Sequence, residues 1–559
     1  MNTRTSQPQI TPPRPARRKW ALVLHVLWRM VAASPPVPVR YEWFVPDEVA
    51  RLDQALPAEP GRIDDATWRD MEMPPYVDLL AAELSIFGRQ ELVHRLRRGG
   101  SGAIGDLPYA WAQAEALAPA EAPALQRARA VLQPLRSVRT ELAALLFGPA
   151  PGALPPWAGW LWVLPLAVLA ALALGPLVNW VLAGVALAAT LVVGAHAQIA
   201  LHADMTLWHG QRSALCSLLQ VALDLAQVER HTPHPRLAHA PGHAKEAQRL
   251  LQRLRPGWVE RMPGVADYAN LLWLHQVRLF GRQRAGALAE RPALQTLYWH
   301  VAGLETDLAL WRHLRLTPVH CAATPASAGN LVLQGVVHPL LADAQPLNLQ
   351  LQQQGALITG QNGVGKSTLL RTVGLNVIVA RAFGFCYAQS AQLPCDPAFT
   401  VVSSLQVEDS LQAATSLYMA ELARARSLLQ AVAQQGPVLV LIDEIFRGTN
   451  PQEAVAATTA LAQALCAQAL VLLCTHHVVL APLLAAQMQA WCVQRHATGA
   501  RTLQPGVLAQ TNGLALLAEH GFDAPVQASA ATVLAWLQGR LGGDAGAPPA
   551  GAAPGLTAP

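Results

Sequence analysis

The segment that most restricts the fold is a glycine-rich run of sequence GQNGVGKST at Gly360–Thr368. Its spacing is G-x-x-x-x-G-K-S/T, in which the glycines allow backbone N–H groups to close around a phosphate. Ala356–Thr359 reads as a strand that enters the run, and Ser367 to about Ala382 reads as a helix that leaves it. The N-terminus of that helix adds a favourable dipole for an anion. The segment therefore predicts an α/β phosphate-binding domain of the P-loop class.

The same run supplies the candidate nucleotide-binding residues. We expect Lys366 to reach the β- and γ-phosphates and the Ser367 hydroxyl to ligate Mg²⁺. The other candidates in the run are Gly360, Gln361, Asn362, Gly363, Val364, Gly365 and Thr368. ATP and Mg²⁺ are therefore the predicted ligands.

Two further apolar runs end in polar residues. Val438–Asp443 reads as a buried parallel strand that delivers Asp443 to its carboxyl edge, where α/β sheets bind ligands. We expect Asp443 to hold Mg²⁺, mostly through water, and Glu444 to orient or deprotonate the attacking water. A third strand, Ala469–Cys474, is followed by His476, which is placed to sense or polarise a γ-phosphate. The alternative for His476 is a purely structural role.

Taken together, these segments resemble the ATPase domain of the MutS family of DNA mismatch-repair proteins. The resemblance is carried by Leu357–Thr368 (LITGQNGVGKST), Leu441–Asn450 (LIDEIFRGTN) and Cys474–His476. Further matching segments follow in the family's order: Val337–Leu340, Pro346–Leu349, Tyr387–Gln389, Ser416–Leu422 and Arg447–Thr449. The similarity covers roughly 330–540. It implies an ABC-type ATPase domain at the C-terminus, preceded by a mostly α-helical core and lever region. A weaker resemblance to the start of that core region is carried by Ile63–Met73 and Ser85–Arg97.

The resemblance also implies two more site residues and a partner. Gln389 belongs to the family's alanine–glutamine pair and is a candidate Mg²⁺ ligand. Ser416 belongs to the family's signature segment and would contact the γ-phosphate bound by the opposite subunit, which implies a homodimer with shared sites. The alternative is that Ser416 only caps the helix that follows it.

The sequence also departs from the family pattern. Only about 40 residues precede the core-like segment, and no Phe-x-Glu tripeptide, the family's mismatch-reading motif, occurs in the chain. Gly363-Val364 stands where the family has methionine–glycine, and Ala342-Asp343 replaces the aromatic residue expected to stack on adenine. The resemblance therefore implies ATP chemistry without a dedicated mismatch-reading domain.

A long uncharged segment interrupts the helical half of the chain. From Leu142 to Ala203 there is no Asp, Glu, Lys or Arg, and Trp157–Gly175 and Leu177–Ala195 are apolar stretches of 19 residues each. Each would span about 28 Å as a helix, close to the roughly 30 Å of a bilayer core. We predict a two-helix transmembrane hairpin with its turn at Gly175-Pro176; the alternative is a buried hairpin in a soluble core. Flanking arginines place both ends in the cytoplasm.

The predicted organisation has six parts. They are a disordered or interfacial N-terminus (1–40), a helical MutS core-like region (41–150), the hairpin (151–197), a helical lever-like region (198–325), the ATPase domain (326–540) and a disordered tail (541–559). Within the first part, Trp20–Ala33 favours an interfacial or packed helix over a signal peptide. The predicted location is the inner (cytoplasmic) membrane, with several spans and the ATPase domain in the cytoplasm.

Two classes of function fit these features. The first is a membrane-anchored MutS-like ATPase that switches a dimer between conformations, with DNA binding implied by resemblance alone. The alternative is an ABC-type transport ATPase or a membrane scaffold with no DNA role. The net charge of +5 is too small to indicate a nucleic-acid partner. Arginines that could meet DNA phosphates are Arg95, Arg97, Arg98, Arg249, Arg253 and Arg255.

Overall fold

The structure is a computed structural model of the chain. It describes residues 44–57, 59–99, 122–152, 163–174, 180–232, 237–257, 274–327, 329–361, 363–394, 399–405, 417–434, 437–495, 501–508 and 513–541, with the isolated residues 155, 157, 160, 260, 262 and 270. The predictions for Trp20–Ala33, the turn at Gly175-Pro176, Asn362 and Ser416 lie outside the described residues, as do those for most of the two termini.

Before the α/β region, the regular secondary structure of the described residues consists of helices. Its helices are α1 Pro46–Ala55, α2 Asp65–Asp70, α3 Met73–Leu80, α4 Ile86–Arg98, α5 Ala122–Leu132, α6 Ala143–Leu146, α7 Val163–Leu174, α8 Trp180–Ala200, α9 His202–His231, α10 Ala240–Leu254, α11 His275–Ala289 and α12 Arg291–Leu316, with a 3₁₀ turn at Gln133–Ser137. Polar caps define several starts: the Asp64 carboxylate accepts the Thr67 N–H at 2.7 Å, and the Ser85 hydroxyl accepts that of Phe87 at 3.2 Å.

The uncharged segment contributes α7 and α8 to this region. By length and composition, Ala183–Ala200 is the one stretch of the described residues that could cross a membrane. Several apolar side chains of α8 are exposed, with Val181 at 71% and Ile199 at 75%, whereas Ala197 near its end is buried. The predicted two-helix hairpin is thus described in part only, because α7 covers 12 residues of its first apolar stretch.

The C-terminal region is α/β, as the sequence predicts. Its strands are β1 Cys321–Ala326, β2 Asn330–Val336, β3 Leu347–Gln352, β4 Gly355–Gly360, β5 Phe385–Cys386, β6 Ser390–Pro394, β7 Thr400–Ser404, β8 Val438–Asp443, β9 Leu470–Cys474, β10 Met488–Arg495 and β11 Arg501–Pro505. Its helices are α13 Lys366–Phe383, α14 Leu417–Gln434, α15 Pro451–Cys466, α16 Leu480–Leu483, α17 Gly513–Glu519 and α18 Ala524–Leu541. The strands predicted at Ala356–Thr359, Val438–Asp443 and Ala469–Cys474 are confirmed within one residue at each end.

The described strands form two sheets. One has the order β11-β10-β4-β9-β8-β7, with parallel pairing throughout except for the antiparallel edge strand β11. The other is mixed, with the order β3-β2-β6-β1-β5. The central strands β4, β9 and β8 are mostly apolar in sequence because they are buried on both faces.

The short N-terminal helices pack directly on the α/β region. The buried Asp70 carboxylate, at the end of α2, accepts hydrogen bonds from the Ser403 hydroxyl at 2.6 Å and the Leu405 N–H at 2.9 Å, where β7 ends. The buried Tyr76 and Tyr387 hydroxyls lie 2.8 Å apart and join α3 to the residue that follows β5. Helices α2 and α3 therefore contact the α/β region at two places.

Candidate nucleotide site

Three strand ends that the sequence marked separately meet at one edge of the larger sheet. Cys474 pairs with Ile358 of β4 on one side and with Asp443 of β8 on the other. Two backbone hydrogen bonds continue these pairings beyond the strands, from the Glu444 N–H to the Cys474 carbonyl and from the Thr475 N–H to the Ile358 carbonyl, both at 3.1 Å. The glycine-rich loop, Asp443-Glu444 and His476 thus share one edge because β9 lies between β4 and β8.

The glycine-rich loop turns tightly into α13. Gly363 and Gly365 have φ values of 72° and 100°, which favour glycine. The Lys366 side chain is buried and donates to the carbonyls of Gly360 at 3.0 Å and Gln361 at 3.1 Å. Burial lowers the pKa of the Lys366 amine. The ammonium group therefore lies inside the curve of the loop, where a phosphate would meet it.

The two predicted magnesium ligands touch one another. The Ser367 hydroxyl, in the first turn of α13, donates a short hydrogen bond to Oδ2 of Asp443 at the end of β8. A hydroxyl and a carboxylate are oxygen donors of the kind that Mg²⁺ binds beside phosphate groups, so the pair fits that ion. Gln389 does not join them among the described contacts; its N–H donates to the Gln334 carbonyl at 2.9 Å and its side chain packs against Gly335.

The two predicted catalytic residues are in direct contact. His476 Nε2 lies against Oε1 of Glu444, a pairing that neither strand pattern reveals by itself. Burial, and after it the charge of Lys366, lowers the pKa of His476. A neutral imidazole beside a carboxylate can hold that carboxylate in place and donate a hydrogen bond. The backbone of Glu444 has a φ of 49°, so its side chain leaves the strand at a sharp turn.

A buried glutamate that the sequence did not single out fixes the loop after Glu444. The carboxylate of Glu421, on α14, accepts the N–H groups of Arg447 at 3.0 Å and Gly448 at 3.1 Å. Gly448 passes so near Tyr418 that an added Cβ would lie 2.8 Å from the Tyr418 nitrogen. In the sequence, both Ser416–Leu422 and Arg447–Thr449 resemble segments of the same family. That resemblance does not predict that the two segments are in contact.

The first cluster of candidate DNA-contacting arginines is structural. Arg97 donates to the Asp65 carboxylate at 2.7 Å, and Arg98 donates to the buried Asp53 carboxylate at 2.9 Å. Arg95 makes two ion pairs of 2.6 Å within the helical region. The prediction of phosphate contacts is therefore wrong for Arg97 and Arg98, because both side chains are buried and their guanidinium groups are paired with Asp65 and Asp53.

The second arginine cluster faces solvent. Arg249 and Arg253 are about half exposed and both contact Glu290, at 2.8 and 3.1 Å. Arg255 donates to the Gln220 side chain at 2.6 Å. Exposed ion pairs of this kind contribute little to stability, so phosphate contact by this cluster stays a prediction.

Comparisons with known proteins agree with the site. Residues 356–538 match the family model described as MutS domain V. The chain is 29% identical over 238 residues to the DNA mismatch repair protein MutS of Thermus thermophilus, an alignment that covers 41% of this chain and 28% of that protein. It is 34% identical over 164 residues to the endonuclease MutS2 of Thermus thermophilus, covering 29% of this chain and 21% of the relative. The chain thus spans about a quarter of the length of these relatives.

Proposed function

We propose that this chain, whose residues 356–538 match the MutS domain V model, is a membrane-anchored ATPase. It would bind ATP with Mg²⁺ at the glycine-rich loop and hydrolyse it at the adjoining strand ends. The observation that carries the proposal is the convergence of Lys366, Ser367 and Asp443 on one side of the loop. Each supplies a different part of what a nucleoside triphosphate needs: a positive charge, a hydroxyl ligand and a carboxylate.

Binding would rearrange the loop's own contacts. The Lys366 ammonium would exchange its two carbonyl acceptors for oxygens of the β- and γ-phosphates. The Ser367 hydroxyl and the Asp443 carboxylate would hold Mg²⁺, which neutralises charge that develops on the phosphates. In the hydrolysis step, Glu444 would accept a proton from the attacking water while His476 holds the carboxylate and faces the γ-phosphate.

Equilibrium binding of Mg-ATP to the purified full-length chain tests this proposal. Lys366→Ala should abolish detectable binding, whereas Ser367→Ala should retain binding and lose its dependence on Mg²⁺. His476→Ala should slow turnover, and His477→Ala, a change of the neighbouring imidazole, serves as its matched control. Unchanged binding in Lys366→Ala would contradict the assignment.

The proposal includes anchoring by the uncharged segment. The exposed apolar side chains of α8 are what a helix in lipid presents, and the segment between Leu142 and Ala203 carries no charge to oppose insertion. We expect the protein to remain with membranes after a high-salt wash and to require detergent for extraction. We also expect protease to reach the ATPase region in inside-out vesicles. Full solubility without detergent, or protection of that region, would contradict the membrane part alone.

The family resemblance extends the proposal to a dimer with shared sites. In that arrangement Ser416 of one subunit would complete the site of the other. Chains with Lys366→Ala and chains with Ser416→Arg, each inactive alone, should recover activity when mixed, up to about a quarter of the sites if assembly is random. No recovery in demonstrated mixed dimers would count against sharing. The similarity to a DNA mismatch repair protein supports a DNA role, which a DNA-binding assay at stated salt would test.

A further inference from the structure

An arginine on the edge strand lies against the glycine-rich loop. Arg501 is the first residue of β11 and pairs with Arg495 of β10, while Val493 of β10 pairs with Gly360. Arg501 is therefore at the same edge of the sheet as the loop. It approaches from the side of β10, whereas Asp443 approaches from the side of β9 and β8.

The guanidinium group of Arg501 packs on Gly365. A Cβ added at Gly365 would lie 3.0 Å from Nη1 and 3.4 Å from Cζ of Arg501. The backbone is fixed beside the loop as well, because the Arg501 N–H donates to the Gln345 side chain at 2.8 Å. Among the described residues the guanidinium has no ion pair and no hydrogen bond, unlike Arg97 and Arg98 in the helical region.

The direction of the nucleotide follows from the other residues of the site. Ser367 and Asp443 place Mg²⁺ and the terminal phosphates toward β8 and β9. A nucleotide that crosses the loop from there carries its nucleoside half toward β10 and β11. Arg501 is a positively charged residue on that side, and its guanidinium group contacts the glycine-rich loop at Gly365.

We propose that Arg501 binds the nucleoside half of ATP by stacking its planar guanidinium on the base. The inference rests on the proposed ATP site and adds to it a residue that recognises the base. A guanidinium is planar and weakly hydrated and stacks on π faces, as aromatic rings do. It lies on the Cβ side of Gly365, where Nη1 and Cζ are 3.0 and 3.4 Å from an added Cβ. Residues 341–349 beside it contain no aromatic side chain that could take this place.

Competition binding with two probes tests the assignment on the full-length chain. The probes are Mg-ATP and Mg-tripolyphosphate, which share the phosphate chain and differ in the nucleoside. Arg501→Ala should weaken ATP binding about tenfold, the size expected for one stacked base, and leave tripolyphosphate binding unchanged. Arg501→Lys, which keeps the charge and loses the plane, should resemble Arg501→Ala. Arg447→Ala, which removes a positive charge near Glu444, should leave the ratio of the two affinities unchanged.

The outcomes separate this inference from the proposed function. Equal losses for ATP and tripolyphosphate in Arg501→Ala, or full rescue by Arg501→Lys, would assign Arg501 to phosphate and overturn base stacking. No loss for either probe, with binding still abolished by Lys366→Ala, would overturn the inference and leave the ATP site standing. A wild-type chain that binds neither probe would overturn both. Retained tripolyphosphate binding also shows that Arg501→Ala is folded.

Discussion

Two apolar helices of this molecule lie in opposite surroundings. Helix α13, which carries Lys366 and Ser367 in its first turn, is buried along almost its whole length. Helix α8 is at least as apolar, yet Val181, Val192 and Ile199 are each about 70% exposed or more. Hydrophobic sequence alone therefore does not tell which medium a helix occupies.

The difference lies in the partners that the fold provides. Helix α13 packs between the large sheet and the N-terminal helices, and polar contacts fix its position: the Asn376 side chain donates to the Val337 carbonyl at 3.2 Å and accepts the Tyr387 N–H at 2.6 Å. Helix α8 packs against α7, and near its C-terminal end an added Cβ at Gly194 would lie 3.4 Å from Leu274. We infer that lipid supplies the remaining contacts of α8.

The largest expected effect comes from placing a carboxylate on each helix. Val377→Asp would bury an unpaired charge in α13, where Val377 is fully buried, and should unfold the α/β region at a cost of several kcal/mol. Val185→Asp, at an exposed position of α8, should leave ATP binding intact and reduce membrane association. Thermal unfolding, ATP binding and membrane fractionation check both variants. If Val185→Asp unfolds the α/β region as Val377→Asp does, α8 is a core helix and the comparison fails.

A third helix, α12, carries a buried carboxylate whose ionisation affects stability. Glu305 of α12 accepts the Ser85 N–H at 2.7 Å and the Gly88 N–H at 3.1 Å, and burial raises its pKa to about 7 from an ordinary 4.5. Because the folded chain holds this proton more tightly than the unfolded chain, the contribution to stability is present below pH 4.5 and is lost as pH rises through 7.

We expect the free energy of unfolding to fall by about 3 kcal/mol over that pH range on account of Glu305. Denaturant unfolding at a series of pH values measures it. Glu305→Gln, which cannot ionise, should flatten the curve between pH 5 and 8. A curve of unchanged slope in Glu305→Gln would show that another group titrates.

The smallest predicted effect compares two glycines. A Cβ at Gly374 of α13 would overlap Sδ of Met71 and lie 2.6 Å from Cδ1 of Leu441, whereas nothing lies within 4 Å of a Cβ at Gly184 of α8. Gly374→Ala should therefore destabilise the chain by about 1 kcal/mol, since overpacking outweighs the gain in helix propensity. Gly184→Ala should cost nothing. Equal denaturation midpoints for the two variants would contradict this account of α13 packing.

The sequence predicted those parts of the site that depend on residues near one another in the chain. The strand, loop and helix around Lys366, and the strand that ends at Asp443, follow from periodicity and from a motif of fixed spacing. The placement of His476 beside Glu444 needed the strand order, which no local pattern contains.

Contacts between distant residues could not be predicted in this way. Glu421 holds the loop at Gly448 through a buried carboxylate, and Arg98 pairs with Asp53 across 45 residues. Such pairs carry no periodic signal, and a buried arginine reads in sequence like an exposed one. For the same reason no local sequence pattern places Arg501 beside Gly365 of the glycine-rich loop.

The most direct test of the proposed ATP hydrolysis compares the turnover of Glu444→Gln with the affinity of the same variant for Mg-ATP. An amide retains the shape of the carboxylate and cannot accept the water's proton. We therefore predict affinity within a few-fold of wild type and turnover lower by about 100-fold or more. Glu519→Gln, an exposed carboxylate on α17, is the matched control and should behave as wild type. Unchanged turnover in Glu444→Gln, with Lys366→Ala inactive, would contradict the role assigned to Glu444 and with it the hydrolytic site described above.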